Sequence, residues 1–396
     1  MKGTCEVHMS DNRKRFYFDH NATTPVRPEV VQAMLPFLTD GYGNASSVHS
    51  FGREARSALE ESRAKTAALI GAETDEIYFT GCGTESDNIA LAGTLEASST
   101  ERNGLITTAV EHSAILKTVK HLESAGYPVK IIGVDSQCRV DLDELRDAVD
   151  ASTALVSIMH ANNETGVIQN IDEAARIARD AGALFHTDAV QSAGKLPLDV
   201  TASSIDLLSM SGHKLNAPKG VGVLYVRKDV TINPLMHGGS HEGGLRPGTE
   251  NVAGIVAFAK AMELTLTERE QKTAFLSGLR NRMERGIEDT VPDVLFNGSE
   301  AERLASTSNI SIPGVDGEAL IFSLDREGIA ASTGSACSTG DVEPSHVLLA
   351  MGRDPKTAQS SLRFSMGWGS GDEGVDHVLA VLPGIVERLR TVAGGL

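Results

Sequence analysis

A chain of 396 residues is too long for one ordinary core and suits two domains that share an interface. Its 36 Lys and Arg against 53 Asp and Glu leave a net charge of −17, a field that repels phosphate backbones and excludes nucleic acid as a direct ligand. No apolar run approaches the roughly 18 residues of a membrane span, and residues 1–15 carry no apolar leader stretch, so the expectation is a cytoplasmic protein without membrane contact.

In chain order, residues 1–15 are polar and aperiodic and read as a tail. The apolar run Phe16 to Phe18 reads as a first strand, followed by the turn-rich DHNATTP. From about Pro28 to Asp199, helical-period segments such as REARSALEESRAKTAALIG and IDEAARIARDAG alternate with compact apolar runs: IYFTG, GLITTAV, KIIGV, ALVSIMH and ALFHTDAV. Strands apolar on both faces and separated by helices predict an α/β fold, a mostly parallel sheet flanked by helices with ligands gathered at the strands' carboxyl ends. The runs IDLLSMSG and VGVLYVR bracket a polar loop around His213 and Lys214, and HGGSHEGGLRPGTEN is too rich in glycine for a core. One helical pattern from Val252 to about Ile287 then leads to a smaller C-terminal α/β unit with NISIPG, SLRFSMG and a last helix from Asp372 to Val392. The expected division is the tail over 1–15, a large domain over 16–260 whose first segment is free to join the smaller unit, and a small domain over 261–396.

P-loop, zincin and hydrolase-elbow motifs are all missing, and the histidines His20, His49, His160, His237 and His241 have no metal-ligand spacing, so no metal is assigned. FTGCGTESDN places Gly81, Gly83 and Thr84 between a strand and a helix, where free N–H groups favour an anion such as a phosphate, although Thr84 also fits an ordinary helix cap. Asp188 ends the run ALFHTDA, and Lys214 follows another strand in SMSGHKLNAPKG. A Schiff-base lysine and a carboxylate that keeps a pyridine nitrogen protonated are what a pyridoxal phosphate enzyme requires, against the plain alternative of a strand cap and a surface lysine. His112 sits just past a strand in TAVEHSA, where it either overlies a flat ring and moves protons or is simply structural. Cys337 lies in the small-residue run STGSACSTG, whose composition predicts an exposed, mobile loop with a reactive thiol, while Cys82 and Cys138 read as inert. Arg363 inside the apolar run SLRFSMG must meet a carboxylate, either a substrate's or a protein side chain's.

These segments, together with YFDHNATTP, GNASSVHSFGR, HANNETGVIQNI and RPGTEN, resemble over almost the whole chain the class V aminotransferase-like pyridoxal phosphate enzymes, and within them the cysteine desulfurases of the NifS and IscS type. The resemblance implies a fold type I transferase acting on L-cysteine as a homodimer, with alanine as product and sulfur passed to a scaffold or carrier protein of unknown identity. It implies that Lys214 holds pyridoxal 5'-phosphate, that Asp188 pairs with its ring nitrogen, and that His112 stacks on the ring and moves protons. Asn163 and Gln191 would reach the ring's phenolic side and the substrate region. Gly83, Thr84, Ser211 and His213, with Thr249 from the partner subunit, would bind the phosphate, Arg363 the substrate carboxylate, and Cys337 would take the sulfur as a persulfide. An aminotransferase or selenocysteine lyase, with Cys337 incidental, is the competing enzyme reading; a non-catalytic sulfur-relay protein is the competing reading from another class.

Overall fold

The computed structural model describes residues 14–333 and 343–394. The first strand among the described residues is β1 (Phe16–Tyr17), two residues that pair in parallel with a segment more than three hundred residues away, Ile329–Ala330. Seven strands then build the main sheet: β2 (Ile77–Thr80), β3 (Gly104–Thr108), β4 (Val129–Ile132), β5 (Thr153–Ser157), β6 (Leu184–Asp188), β7 (Leu207–Ser211) and β8 (Gly222–Val226). Their order is β2-β8-β7-β6-β5-β3-β4, and every neighbouring pair is parallel except those made by β8, which runs antiparallel to both β2 and β7. Strands β3, β5, β7 and β8 are buried along their whole length, which is why they read as continuous apolar runs rather than alternating ones. The mostly parallel sheet expected from the sequence is therefore present, with its one reversed strand near an edge.

Helices cover the sheet with their apolar faces. Ser50–Ile70 turns Leu59, Ala67 and Ile70 inward and stops at Gly71, whose φ of 75° is left-handed and suits a residue without a side chain. Ile171–Asp180 begins on Asn170, whose side chain accepts from the Glu173 amide. The helical pattern beginning at Val252 resolves into two helices, Val252–Thr267 and Arg269–Thr290. They meet at Glu268, a residue at φ −97° and ψ −1° between the two helices, whose carboxylate accepts from Arg27 at 2.6 Å and Lys272 at 2.7 Å.

A second hydrophobic cluster forms around a three-stranded antiparallel sheet, β9 (Leu295–Phe296), β10 (Thr307–Ser311) and β12 (Ser361–Ser365), with β11 (Ile329–Ala330) set apart beside β1. The helices Arg269–Thr290, Gly317–Arg326 and Asp372–Gly394 supply Met283, Leu320 and Leu382 to it. Phe18, from the start of the chain, is buried in this cluster, its ring edge-on to Phe364 at 6.0 Å between centroids. No helix among the described residues is long and apolar enough to cross a membrane.

Candidate active site

The carboxyl ends of β2, β3, β6 and β7 converge, and each delivers a functional side chain within a few residues. After β2 the chain turns through Gly81 and Cys82 into the helix Gly83–Ala97, whose N-cap Cys82 gives no side-chain cap. The first N–H groups of that helix are left for a ligand anion. A Cβ on Gly83 would stand 2.7 Å from Val190 Cγ2 and 3.3 Å from Ser211 Cβ, so only glycine lets the helix start approach the end of β7. Ser211 is buried there and Thr84 is exposed on the first turn. Gly81 N donates to Glu85 Oε2 at 2.6 Å, and Arg246 Nε donates to Glu85 Oε1 at 2.8 Å, which closes one side of this cup.

Asp188 is the last residue of β6 and is buried; its Oδ1 accepts from the Val190 amide at 2.8 Å. Burial raises its pKa, against the lowering effects of His112, that amide and Lys214. His112 caps the helix Ser113–Ser124 by accepting the Ala114 amide on Nδ1 at 3.1 Å, which assigns any proton of the neutral ring to Nε2. Burial, with smaller contributions from Lys214 and His346, holds its pKa below the usual histidine range despite the opposing pull of Asp188. Lys214 ends the short helical turn that follows β7, and its Nζ donates to the backbone oxygens of Asn21 and, at 2.8 Å, Ala22. Burial first, then the charges of Lys195 and Arg363, bring this amine down to about 7. His213 lies with Nδ1 3.2 Å from Thr23 Oγ1 and is lowered to about 4, mainly by burial.

Gln191, Asn163 and Arg363, expected on the substrate side, are tied to the same segment. Gln191 Nε2 donates to Asn21 O at 3.0 Å, and the Asn163 carbonyl accepts from Asn21 Nδ2 at 3.1 Å and Arg363 Nη1 at 3.0 Å. Arg363, in the middle of β12, donates from Nη2 to Asp19 Oδ1 at 2.8 Å, and its buried Nε has no partner among the described residues. A cavity of about 190 Å3 opens beside Lys214, with His20, Lys195, Thr265, Leu276 and Trp368 among its walls.

Asp188, His112 and His213 thus act electrostatically on one another or on Lys214, Gln191, Asn163 and Arg363 connect to Lys214 through Asn21, and Gly83 abuts Ser211; of these residues Lys214 is the one that lines the cavity. Thr249 is exposed on its own chain, at the end of a loop fixed by a buried bidentate pair in which Arg63 donates to both Glu242 oxygens at 2.7 Å. Cys337 lies outside the described residues. Two participants carry no assigned role in the sequence reading. Asn21 is one: its carbonyl receives both Gln191 and Lys214, and its buried Oδ1 has no partner among the described residues. The signal available was its place in DHNATTP. Asp87 is the other, a buried acid on the helix Gly83–Ala97 with an unpartnered Oδ1 3.8 Å from His186 Nε2, raised well above the usual carboxylate range by burial and by Asp188. Its signal was an acid on the inward face of an otherwise apolar helix.

The arrangement fits a flat, phosphorylated cofactor with a basic ring nitrogen. The uncapped helix start and the glycine cradle suit a phosphate, the desolvated Asp188 accepts from one amide and feels the charges of His112 and Lys214, and Lys214 presents a half-buried amine of lowered basicity.

Residues 16–378 match the aminotransferase class-V family. A cysteine desulfurase from Nostoc sp. strain PCC 7120 is 48% identical over 377 residues, 95% of this chain and 94% of the relative. The cysteine desulfurase NifS of Azotobacter vinelandii is 47% identical over 378 residues, again 95% of this chain and 94% of the relative. Among solved structures, a NifS-like protein superposes with a TM-score of 0.88 at 38% identity, covering 97% of this chain and all of its own. The chain therefore belongs to the class-V aminotransferase family and, within it, to the cysteine desulfurases of the NifS and IscS type.

Proposed function

We propose that this chain binds pyridoxal 5'-phosphate and converts L-cysteine to L-alanine, transferring the sulfur to Cys337 as a persulfide. The observation that carries the reading is the meeting of a half-buried amine lowered to about 7 at Lys214 with the buried acid Asp188 and the His112 ring, whose pKa is held below the usual histidine range. When bound, the cofactor supplies an electron sink for bonding electrons released at the substrate's α-carbon. Lys214 would hold the cofactor through its amine and would serve as the base toward the substrate's α-proton. Asp188 accepts a hydrogen bond from the ring nitrogen and keeps a proton there. His112, fixed through Nδ1, uses Nε2 to hold or release a proton over the ring. Gly83, Thr84, Ser211 and His213 bind the phosphate, and Gln191 and Asn163 orient the ring and the substrate.

Arg363 binds the α-carboxylate, which takes over positions now satisfied by Asp19. The Cys337 thiolate attacks the substrate sulfur; a sulfur–sulfur bond forms as the carbon–sulfur bond breaks, and its electron pair stays with carbon and is protonated to complete alanine. The persulfide is then handed to a scaffold or carrier protein that serves iron–sulfur cluster assembly, tRNA thiolation or DNA sulfur modification.

The working unit in this reading is a cytoplasmic homodimer in which Thr249 reaches the neighbour's phosphate. Support comes from a stretch of exposed apolar side chains at Leu35, Leu38, Tyr42, Val48 and Phe51, a density that a lone surface rarely carries. The test is alanine release from cysteine together with the mass of the Cys337 peptide after brief exposure. One added sulfur is expected; alanine at full rate without that addition overturns the role of Cys337.

A further inference from the structure

The cavity beside Lys214 holds a second amine that the reaction described above does not use. Lys195 follows Gly194, whose φ of 72° turns the chain inward, and a Cβ on that glycine would sit 2.7 Å from Thr265 Cγ2. The Lys195 side chain therefore enters the cavity from a tightly fixed turn. Its Nζ donates to Gln191 Oε1 at 3.3 Å, Gln191 Nε2 donates to Asn21 O at 3.0 Å, and Lys214 Nζ donates to that same carbonyl. Two amino groups thus hang from one chain of amide groups and face one cavity.

Among the described residues no carboxylate forms an ion pair with Lys195. Its hydrogen bond goes to an amide oxygen, not a carboxylate. Of the cavity's other charged walls, Lys272 is held by Glu268 at 2.7 Å and Arg303 by Glu284 at 2.9 Å, while Arg269 reaches the Leu196 carbonyl and Glu302 completes the set. His20, next to Lys195, is buried and lowered below the usual histidine range, chiefly by burial, and Lys195 adds to that lowering. Facing Lys214 are Asp188, Asp19, Arg363, His213 and His112, and Asp19 is already engaged by Arg363. An ammonium without a counter-ion, set close to a second amine in a desolvated space, favours the neutral, nucleophilic form of that second amine.

We propose that Lys195 is a positioning residue for the reaction: its unpaired charge, facing the cavity it shares with Lys214, keeps the Lys214 amine unprotonated and ready to attack the cofactor's carbonyl. Both amines are lowered, Lys195 to about 8 by burial and Lys214 to about 7 by burial and then by Lys195.

The inference rests on the assignment of Lys214 as the cofactor lysine, and the experiment separates the two. Full-length protein freed of cofactor is mixed with pyridoxal phosphate from mildly acidic to alkaline pH. The rate of appearance of the visible chromophore is recorded, and borohydride reduction with peptide mass identifies the lysine. For the natural sequence the rate rises through a midpoint near 7. Lys195→Met moves that midpoint up by about one pH unit, so attachment is about fivefold slower at pH 7, about tenfold slower in mild acid and unchanged in alkali. Lys195→Gln, which keeps a donor for Gln191 but not the charge, moves it equally. Lys195→Arg leaves it in place. If Lys195→Gln behaves like the natural sequence, or all the profiles coincide, the charge has no role and the proposal is overturned. Should Lys195→Met fail to fold, the Gln and Arg variants decide alone. If Lys214→Ala is labelled as readily as the natural sequence, the cofactor assignment fails and takes this inference with it.

Discussion

Arg363 Nη2 donates to Asp19 Oδ1 at 2.8 Å, so the guanidinium assigned to the substrate already grips a carboxylate of its own chain. The pair is nearly dry on the arginine side, and its geometry shows which contact an incoming carboxylate must share or replace. Substituting Arg363→Met removes a charge-assisted clamp, and we expect the KM for cysteine to rise about 10- to 100-fold while the visible spectrum of the bound cofactor stays unchanged. Steady-state alanine release with a matching absorbance spectrum checks this; an unaltered KM would remove Arg363 from the substrate site.

Two acids behind the site give folding a definite pH dependence. Burial pushes Glu111 to about 8, its Oε1 accepting from Thr108 and the Met159 amide while Oε2 is unpartnered, and Glu164 is pushed to about 7 by the same cause. Both folded-state values lie above the unfolded value of 4.5, so the folded chain holds the extra protons between them. The stability they contribute is complete below that unfolded value and is lost as pH rises through the folded ones. Glu111→Gln supplies a permanent N–H in place of that proton, and thermal unfolding of the variant should fall less steeply than the natural protein from mildly acidic to mildly alkaline pH. Parallel curves for the two would contradict the assignment.

The thiols divide sharply. Burial pushes Cys138 to about 12, and Cys82 stands exposed at a helix start, its main chain closing the phosphate cup. Cys138→Ser and Cys82→Ser should each retain most alanine production. Cys337→Ser should keep bound cofactor and its spectral response to cysteine yet lose alanine turnover and persulfide together, because a serine hydroxyl cannot take a sulfur atom. Near-normal turnover in that variant would mean that a different thiol or a lyase route operates.

Arg63 and Glu242 are both almost fully buried, and Glu242 also accepts the Phe79 amide at 2.7 Å while holding a left-handed φ of 46°. Arg63→Ala leaves that carboxylate buried and unpaired, at a cost of about 3–5 kcal/mol. Unfolding by denaturant should register the loss, and cofactor affinity should weaken with it, since the same loop carries Thr249. An unchanged midpoint with unchanged affinity would show that the pair does not hold the loop.

The sheet was legible in the sequence, and the candidate residues at its strand ends could be named because their signals are chemical. Apolar runs at regular intervals ended in Asp188, Ser211 and the turn before Lys214, and a strand end is where side chains become reachable. The reversed direction of β8 was not legible, since VGVLYVR is equally apolar read either way and both its faces are covered. Nor was Asn21: its contribution to Lys214 and Gln191 is made through a main-chain carbonyl, which every residue possesses. For Arg363 the sequence required a carboxylate but could not choose between Asp19, which lies at the opposite end of the chain, and a ligand. The break at Glu268 escaped because helical periodicity continues across it; the pull of Arg27 and Lys272 on its carboxylate is a tertiary effect.

The opening strand belongs to one core and serves the other. Phe18 is buried beside Phe364 in the smaller cluster, and three residues later Asn21 receives the amine that projects from the large sheet. The Ser365 amide donates to Phe18 O at 2.7 Å, and Ser365 Oγ accepts the Asn21 amide at 2.9 Å, which lashes this segment to the strand that carries Arg363. The carboxylate clamp and the resting place of the reactive amine are therefore parts of one rigid strap. In the proposed reaction, a substrate carboxylate that engages Arg363 would therefore bear on the same segment whose carbonyls hold the Lys214 amine.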